Sequence, residues 1–241
     1  MKTFWINSIA GIIITVGVAT KLVDFYHKNE EGKHTQWIIN EDNVPSKAIF
    51  EANRWADSVF SQLTLDQKIG QLFMVATYSD RNETYYRHVD NLIQNHHIGG
   101  LIFFKGGPSR QAKLINRYQA LSKVPLMIGI DGEWGLGMRL DSVDDFPKQM
   151  TLGAIQDNQY IYKMGRMIGQ QCQLAGIQVN FAPVADINSN PRNPVIGLRS
   201  FGEDRDNVTA KAAAYMKGLQ HQRVIATAKH FPGHGDTGAD S

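Results

Sequence analysis

Cysteine is almost missing from this chain: there is one, Cys172, in 241 residues. A single cysteine excludes an internal disulfide, and a cysteine-based zinc site needs several thiolates. Net charge is nearly missing as well. Lys and Arg number 25 against 23 Asp and Glu, a formal charge of +2. Such a balance supplies no field for a polyanion, so nucleic acid is not expected as a partner. No internal repeat and no low-complexity tract is visible, and the composition excludes disordered and collagen-like classes. What is present is 42% apolar and 20% charged residues, the balance of a globular protein. The length accommodates one large domain, since α/β barrels of roughly 200–250 residues occur as single units.

Charge is also missing from one stretch, residues 4–18 (FWINSIAGIIITVGV), which follows Lys2 and precedes Lys21. A basic start and a short apolar run describe a secretory signal, and Gly17-Val18-Ala19 offers a small-x-small cleavage site. The run is slightly short of the roughly 20 residues of a membrane span. Leu22 and Val23 extend it, so a retained anchor stays open beside a cleaved signal. The Ile-Ile-Ile run shows no amphipathic stripe, which speaks against a buried first helix. No cysteine follows it, which excludes a lipid-modified N-terminal cysteine. The expected organisation is a signal peptide or membrane anchor over 1–23, a polar tether over 24–45 and a folded domain over 46–241. Export to the periplasm or cell envelope follows, with membrane attachment if the anchor is retained.

Within 46–241 the periodicity alternates. Ser46 caps a helix whose apolar positions are Ile49, Ala52, Trp55, Ala56, Val59 and Leu63. Thr64 with Gln67 forms a capping box for a short second helix. Further helices are expected over 84–95, 109–122 (capped by Ser109), 158–174 (stopped at Gly176) and 207–219. Strands are expected within 71–76 and over 100–104, 126–130, 177–181 and 224–228. The nearly all-apolar strand at 126–130 suits burial on both faces of a parallel sheet. Repeated strand-then-helix units imply a parallel sheet wrapped by helices, either open or closed into a barrel. Ionisable residues follow several different strands, as in a barrel, rather than gathering at one switch point. Gly135-x-Gly137 follows a later strand and lacks the third glycine of a dinucleotide fingerprint. No motif calls for a cofactor.

The stretch Lys229-His230-Phe-Pro-Gly-His234-Gly-Asp236 is rich in chemistry. His230 and His234 have the i, i+4 spacing of a helical zinc pair. Pro232, Gly233 and Gly235 prevent a helix there, and no Glu follows the first His, so no metal is assigned. A strand end that turns sharply and presents Lys229 and His230 to a pocket fits better. Asp131-Gly132-Glu133, after a buried strand, would present a carboxylate to ligand hydroxyls or to a neighbouring Arg. Arg139, Arg199 and Asp186 are weak signals alone, and Asp186 is compatible with simply capping the turn after its strand.

Five segments occur in order: Ile130-Asp-Gly-Glu-Trp-Gly-Leu-Gly-Met-Arg139, Asn180-Phe-Ala-Pro-Val-Ala-Asp186, Arg199-Ser-Phe-Gly, Lys229-His-Phe-Pro-Gly-His-Gly and Asp240-Ser241. Together they resemble glycoside hydrolase family 3, in particular its β-N-acetylhexosaminidase branch. The resemblance covers roughly residues 55–241. Trp134 departs from it, standing where the branch usually has glycine, a change expected to alter a wall of the sugar pocket.

The resemblance implies a (β/α)8 TIM-type barrel, here truncated after about five strands. It implies that Asp131, Arg139, Arg199, Lys229 and His230 hold a terminal N-acetylglucosamine in the innermost subsite. Asp240 matches the Asp of an Asp-Ser-His loop motif, in which His is the general acid/base and Asp orients it. That His is expected next after Ser241 and the Asp nucleophile further on, with downstream domains to follow. The implied activity is retaining removal of terminal β-linked N-acetylglucosamine from amino-sugar substrates such as peptidoglycan fragments, the 241 residues alone being inactive. A family 3 β-glucosidase-like enzyme for neutral sugars and a non-catalytic sugar-binding protein stay open, as does hydrolysis against phosphorolysis. Gly235, Gly238 and Ala239 imply a loop that closes over bound substrate.

Overall fold

A computed structural model describes residues 27–28, 34–35 and 46–239. The apolar segment 4–18 and Asp240 lie outside the described residues. A short antiparallel pair, β1 (His27–Lys28) with β2 (His34–Thr35), falls within the stretch read as a tether, with His27 opposite Thr35. Among the described residues no helix is long and apolar enough to cross a membrane.

The chain folds as two compact units. The first takes in the described residues up to Met74 together with 96–99. It contains α1 (Ser46–Gln62) and α2 (Leu65–Gly70). The expected capping box is present: Gln67 N–H donates to Thr64 Oγ1 at 3.3 Å, and Thr64 N–H to Gln67 Oε1 at 3.1 Å. After α2 the chain makes one more turn, Phe73 N–H donating to Gly70 O. This turn delays the first strand of the main sheet to β3 (Met74–Thr77), later than the expected 71–76.

The second unit carries the alternating pattern: α3 (Glu83–His96), β4 (Gly100–Phe103), α4 (Pro108–Leu121), β5 (Met127–Ile130), α5 (Gln149–Gly153), α6 (Gln159–Leu174), β6 (Val179–Asn180), α7 (Arg205–His221) and β7 (Ile225–Ala226). Pro108 takes the first helical position of α4 and Gly107 the cap, so Ser109 lies inside the first turn and is not the cap. Asp204 caps α7, accepting from Asn207 N–H at 2.7 Å. The five-residue α5 is too short to show a periodicity and was not expected.

The main sheet runs β3-β4-β5-β6-β7, and β4 to β7 pair in parallel. Strand order follows chain order, with no reversal of the kind that marks a doubly wound sheet. Leu101, Ile102, Phe103, Ile128, Ile130 and Val179 are essentially inaccessible, as strands covered on both faces require. Helices α6 and α7 pack closely. A Cβ at Gly165 of α6 would lie 2.5 Å from Tyr215 O of α7, so a larger residue would push them apart. Tyr215 is thereby fixed with its hydroxyl at the end of β5, donating to Gly132 O at 3.0 Å and lying 3.1 Å from Glu133 O. In register, Ile130 pairs with Asn180 and Asn180 with Ala226, so the loops after β5, β6 and β7 leave the sheet side by side.

Candidate sugar-binding site

Those three loops build the site. The first, Asp131-Gly132-Glu133, is tied down on several sides. Asn180 Oδ1 accepts from Gly132 N–H at 2.9 Å and its Nδ2 donates to Gly132 O at 3.1 Å. Gln149 of α5 donates to Glu133 O at 2.8 Å. With the Tyr215 hydroxyl, these bonds satisfy the backbone where it leaves the strand and hold both carboxylates in place.

Asp131 is held by two cations. Lys229 Nζ donates to Oδ1 at 2.8 Å, and Arg139 Nη2 to Oδ2 at 3.2 Å. Arg139 Nε also donates to Asp131 O, and its guanidinium lies over the Phe104 ring, 4.9 Å from the centroid. Glu133 has a side chain with no exposure at all. Arg199 grips it with both arms, Nη2 to Oε1 at 2.7 Å and Nε to Oε2 at 2.9 Å, and Lys229 Nζ lies 2.6 Å from Oε1. Burial alone would push the Glu133 carboxyl up. Arg199 and Lys229 more than offset it and hold the group at about 2. Burial likewise works against the charge on Arg199, but Glu133 outweighs it and keeps the guanidinium protonated.

The third member is the turn after β7. Lys229 accepts from Ala185 N–H through its backbone oxygen. The peptide bonds Lys229–His230, Phe231–Pro232 and, on the neighbouring loop, Ala182–Pro183 are cis. His230 Nε2 lies 3.3 Å from Arg199 Nη2 and its Nδ1 lies 2.5 Å from Asp186 Oδ2. The His230 and His234 rings meet edge to face at 5.7 Å, with Thr237 Oγ1 against Nδ1 of His234. Beyond His234 the loop lies on the β6 loop. Asn193 Nδ2 donates to His234 O at 2.6 Å, and Asn190 N–H to Gly235 O. A Cβ at Gly235 would lie 1.6 Å from Ile187 O, so only glycine allows this approach. The stem of the loop expected to be mobile is thus anchored as far as Thr237.

Asp131, Arg139, Arg199, Lys229 and His230 therefore form one cluster, and Asp240 lies outside the described residues. Two residues of the cluster were not assigned from sequence. Glu133 was visible beside Asp131 at the strand end, and its pairing with Arg199 spans 66 positions. Asp186 is compatible in sequence with capping its turn, but its side-chain bonds cross to 230–234 instead. Trp134 follows Glu133 in the chain and has Lys148 Nζ over its ring, 5.1 Å from the centroid. Among the described residues no group of three or more His, Cys, Asp or Glu is placed to hold a metal ion.

The chemistry of such a cluster is polar recognition. Carboxylates already gripped by cations keep lone pairs for hydroxyl donors, and Lys229 and Arg199 can donate to ligand oxygens. The ionised side chains balance, Asp131, Glu133 and Asp186 against Arg139, Arg199 and Lys229.

Comparison with known proteins agrees with the motifs. The profile of the glycosyl hydrolase family 3 N terminal domain matches residues 64–241. The chain is 39% identical over 166 residues to beta-hexosaminidase A of Pseudoalteromonas piscicida, covering 64% of this chain and 28% of that protein. It is 31% identical over 181 residues to a beta-N-acetylglucosaminidase/beta-glucosidase of Cellulomonas fimi, covering 75% and 31%. Among solved structures, a family 3 beta-N-acetylglucosaminidase from Paenibacillus sp. str. FPU-7 superposes with a TM-score of 0.67 at 41% identity. That match covers 74% of this chain and 35% of the other. The chain thus spans about a third of the length of these relatives. The profile match, the fold and the ordered motifs together place the chain in glycosyl hydrolase family 3, as its N-terminal domain.

Proposed function

We propose that the protein is a glycoside hydrolase that removes terminal β-linked N-acetylglucosamine. The observation that carries this reading is the cluster Asp131, Glu133, Arg139, Arg199, Lys229 and His230 at three adjacent strand ends, in a family 3 chain whose relatives bear hexosaminidase names. Its balanced charge suits a neutral sugar better than an anionic ligand. Asp131 accepts from ring hydroxyls, and Lys229, Arg199 and His230 meet the remaining oxygens.

The sheet is the first part of an eight-stranded barrel, whose active site gathers at the strand ends. Retaining cleavage needs a nucleophile on one face of the sugar and an acid/base on the other. Asp240 orients an acid/base His, and an imidazole with ordinary titration near neutrality serves both half-reactions. The substrates are amino sugars such as peptidoglycan fragments, reached by export through the segment 1–23.

The test uses the protein encoded by the complete reading frame. Release of 4-nitrophenol from the N-acetyl-β-glucosaminide is expected to exceed release from the β-glucoside at least about tenfold in kcat/KM, the discrimination of one well-placed polar contact. Equal or inverted rates support the second reading, a β-glucosidase-like enzyme, which the name of the Cellulomonas fimi relative favours. No release from either, with sugar binding retained, supports a binding protein.

A further inference from the structure

The carboxylate of Asp186 is not one of the groups that the family resemblance assigns to the sugar, and its side chain is 1% exposed. Both of its oxygens nevertheless serve one loop. Oδ2 accepts from His230 N–H at 3.0 Å and lies 2.5 Å from Nδ1 of the same ring. Oδ1 accepts from His234 N–H at 2.7 Å. One carboxylate thus joins the histidine of the sugar cluster to the stem of the loop that runs on toward Asp240.

These partners also dictate where the imidazole proton sits. An ionised carboxylate only accepts, so Nδ1 of His230 carries hydrogen. A guanidinium only donates, and Arg199 Nη2 faces Nε2 at 3.3 Å, so Nε2 presents its lone pair. Burial pushes the Asp186 carboxyl up, but the His230 ring and the His234 and His230 backbone N–H groups pull it below its ordinary range, so it stays an anion.

We propose that Asp186 is a positioning residue for the sugar site: through Nδ1 it holds His230 in the Nδ1–H tautomer, with Nε2 an acceptor beside Arg199, and through His234 it fixes the start of the acid/base loop. The proposal rests on the glycosidase reading above. With the other tautomer, Nε2–H would point at the Arg199 donors and Nδ1 would face a carboxylate without a proton between them. Arg199 Nη2 would then lose its acceptor at the His230 ring.

The first experiment needs no substrate. In ¹⁵N-imidazole-labelled protein from the complete reading frame, the neutral His230 ring is expected to show a protonated Nδ1 and an unprotonated Nε2. A neutral ring protonated at Nε2 overturns the proposal. The second uses Asp186→Asn, whose amide cannot accept from all three donors. Activity on 4-nitrophenyl N-acetyl-β-glucosaminide is expected to fall about 10- to 100-fold in kcat/KM, the size of a lost charged hydrogen bond. Most of that loss is expected to vanish when His230 is already Ala, because the two residues act in series. A full loss in the His230→Ala background overturns the proposal. If Asp186→Asn does not fold, the tautomer of the wild-type ring decides. If the wild-type protein cleaves no glycoside, the glycosidase reading fails and the tautomer still judges Asp186.

Discussion

Between helices α3 and α4, Arg117 reaches Glu83 at 2.8 Å and pairs with Asp90 through Nε and Nη2. At the strand ends, Glu133 is gripped by Arg199 and Lys229 over distances of the same size. Drawn on paper, the two clusters look alike. Their surroundings differ: the Glu83 side chain is 55% exposed and that of Glu133 is not exposed at all. Water screens the Glu83 side of the outer set and would take over from that partner if it were removed, while Asp90 is only partly exposed. The inner set has no such substitute. Its geometry is further held by Asn180, Tyr215 and Gln149, whereas the outer set rests on two helices alone. The same ion-pair chemistry thus ties helices together in one place and fixes charged groups at adjacent strand ends in the other.

Glu133→Gln leaves Arg199 without its anion and Lys229 with Asp131 alone, around a fully buried side chain. It is expected to cost about 3–5 kcal/mol, read as a lowered denaturation midpoint in urea. A loss no larger than that of an exposed pair would mean that the two clusters are equivalent. Asp131→Asn keeps the shape but weakens the grip of Lys229 and Arg139. A fall of about 10- to 100-fold in kcat/KM on the N-acetyl-β-glucosaminide is expected, with the fold intact by circular dichroism.

Acid sharpens the contrast. Glu133 is held at about 2 in the folded protein against an ordinary value of 4.5. Its folded value is the lower one, so its contribution is full above 4.5 and is lost as pH falls from there toward 2. Stability measured across that window is expected to fall less steeply in Glu133→Gln than in the wild type. On the outer set, Arg117→Met is expected to cost about 1 kcal/mol, because Asp90 is only partly exposed. Arg205→Ala, which removes a fully solvated contact with Asp206, is expected to leave the unfolding midpoint unchanged.

The elements that the sequence revealed are those governed by local rules. The Thr64–Gln67 box, the helix ending before Gly176 and the apolar strand before Asp131 all depend on neighbours within a few positions. The ends of β6 and β7 were drawn too long, because apolar residues continue past the last ladder bond into the site loops. Helix α5 and the 3₁₀ turns Leu136–Met138 and Gly197–Arg199 are shorter than any period. In the site, Lys229 and His230 stood out because chemistry-bearing types crowd one turn, and Asp131 because it follows a buried apolar strand. Glu133 and Asp186 were passed over because their partners lie 66 and 44 positions away, and composition carries no trace of such pairing.

The central claim is that the paired charges at the ends of β5, β6 and β7 form the sugar subsite. A crystal structure of the protein from the complete reading frame with N-acetylglucosamine tests it most directly. Sugar oxygens are expected within hydrogen-bond distance of Asp131, Lys229 and His230. A sugar bound elsewhere, with these side chains still paired only to each other, would contradict it.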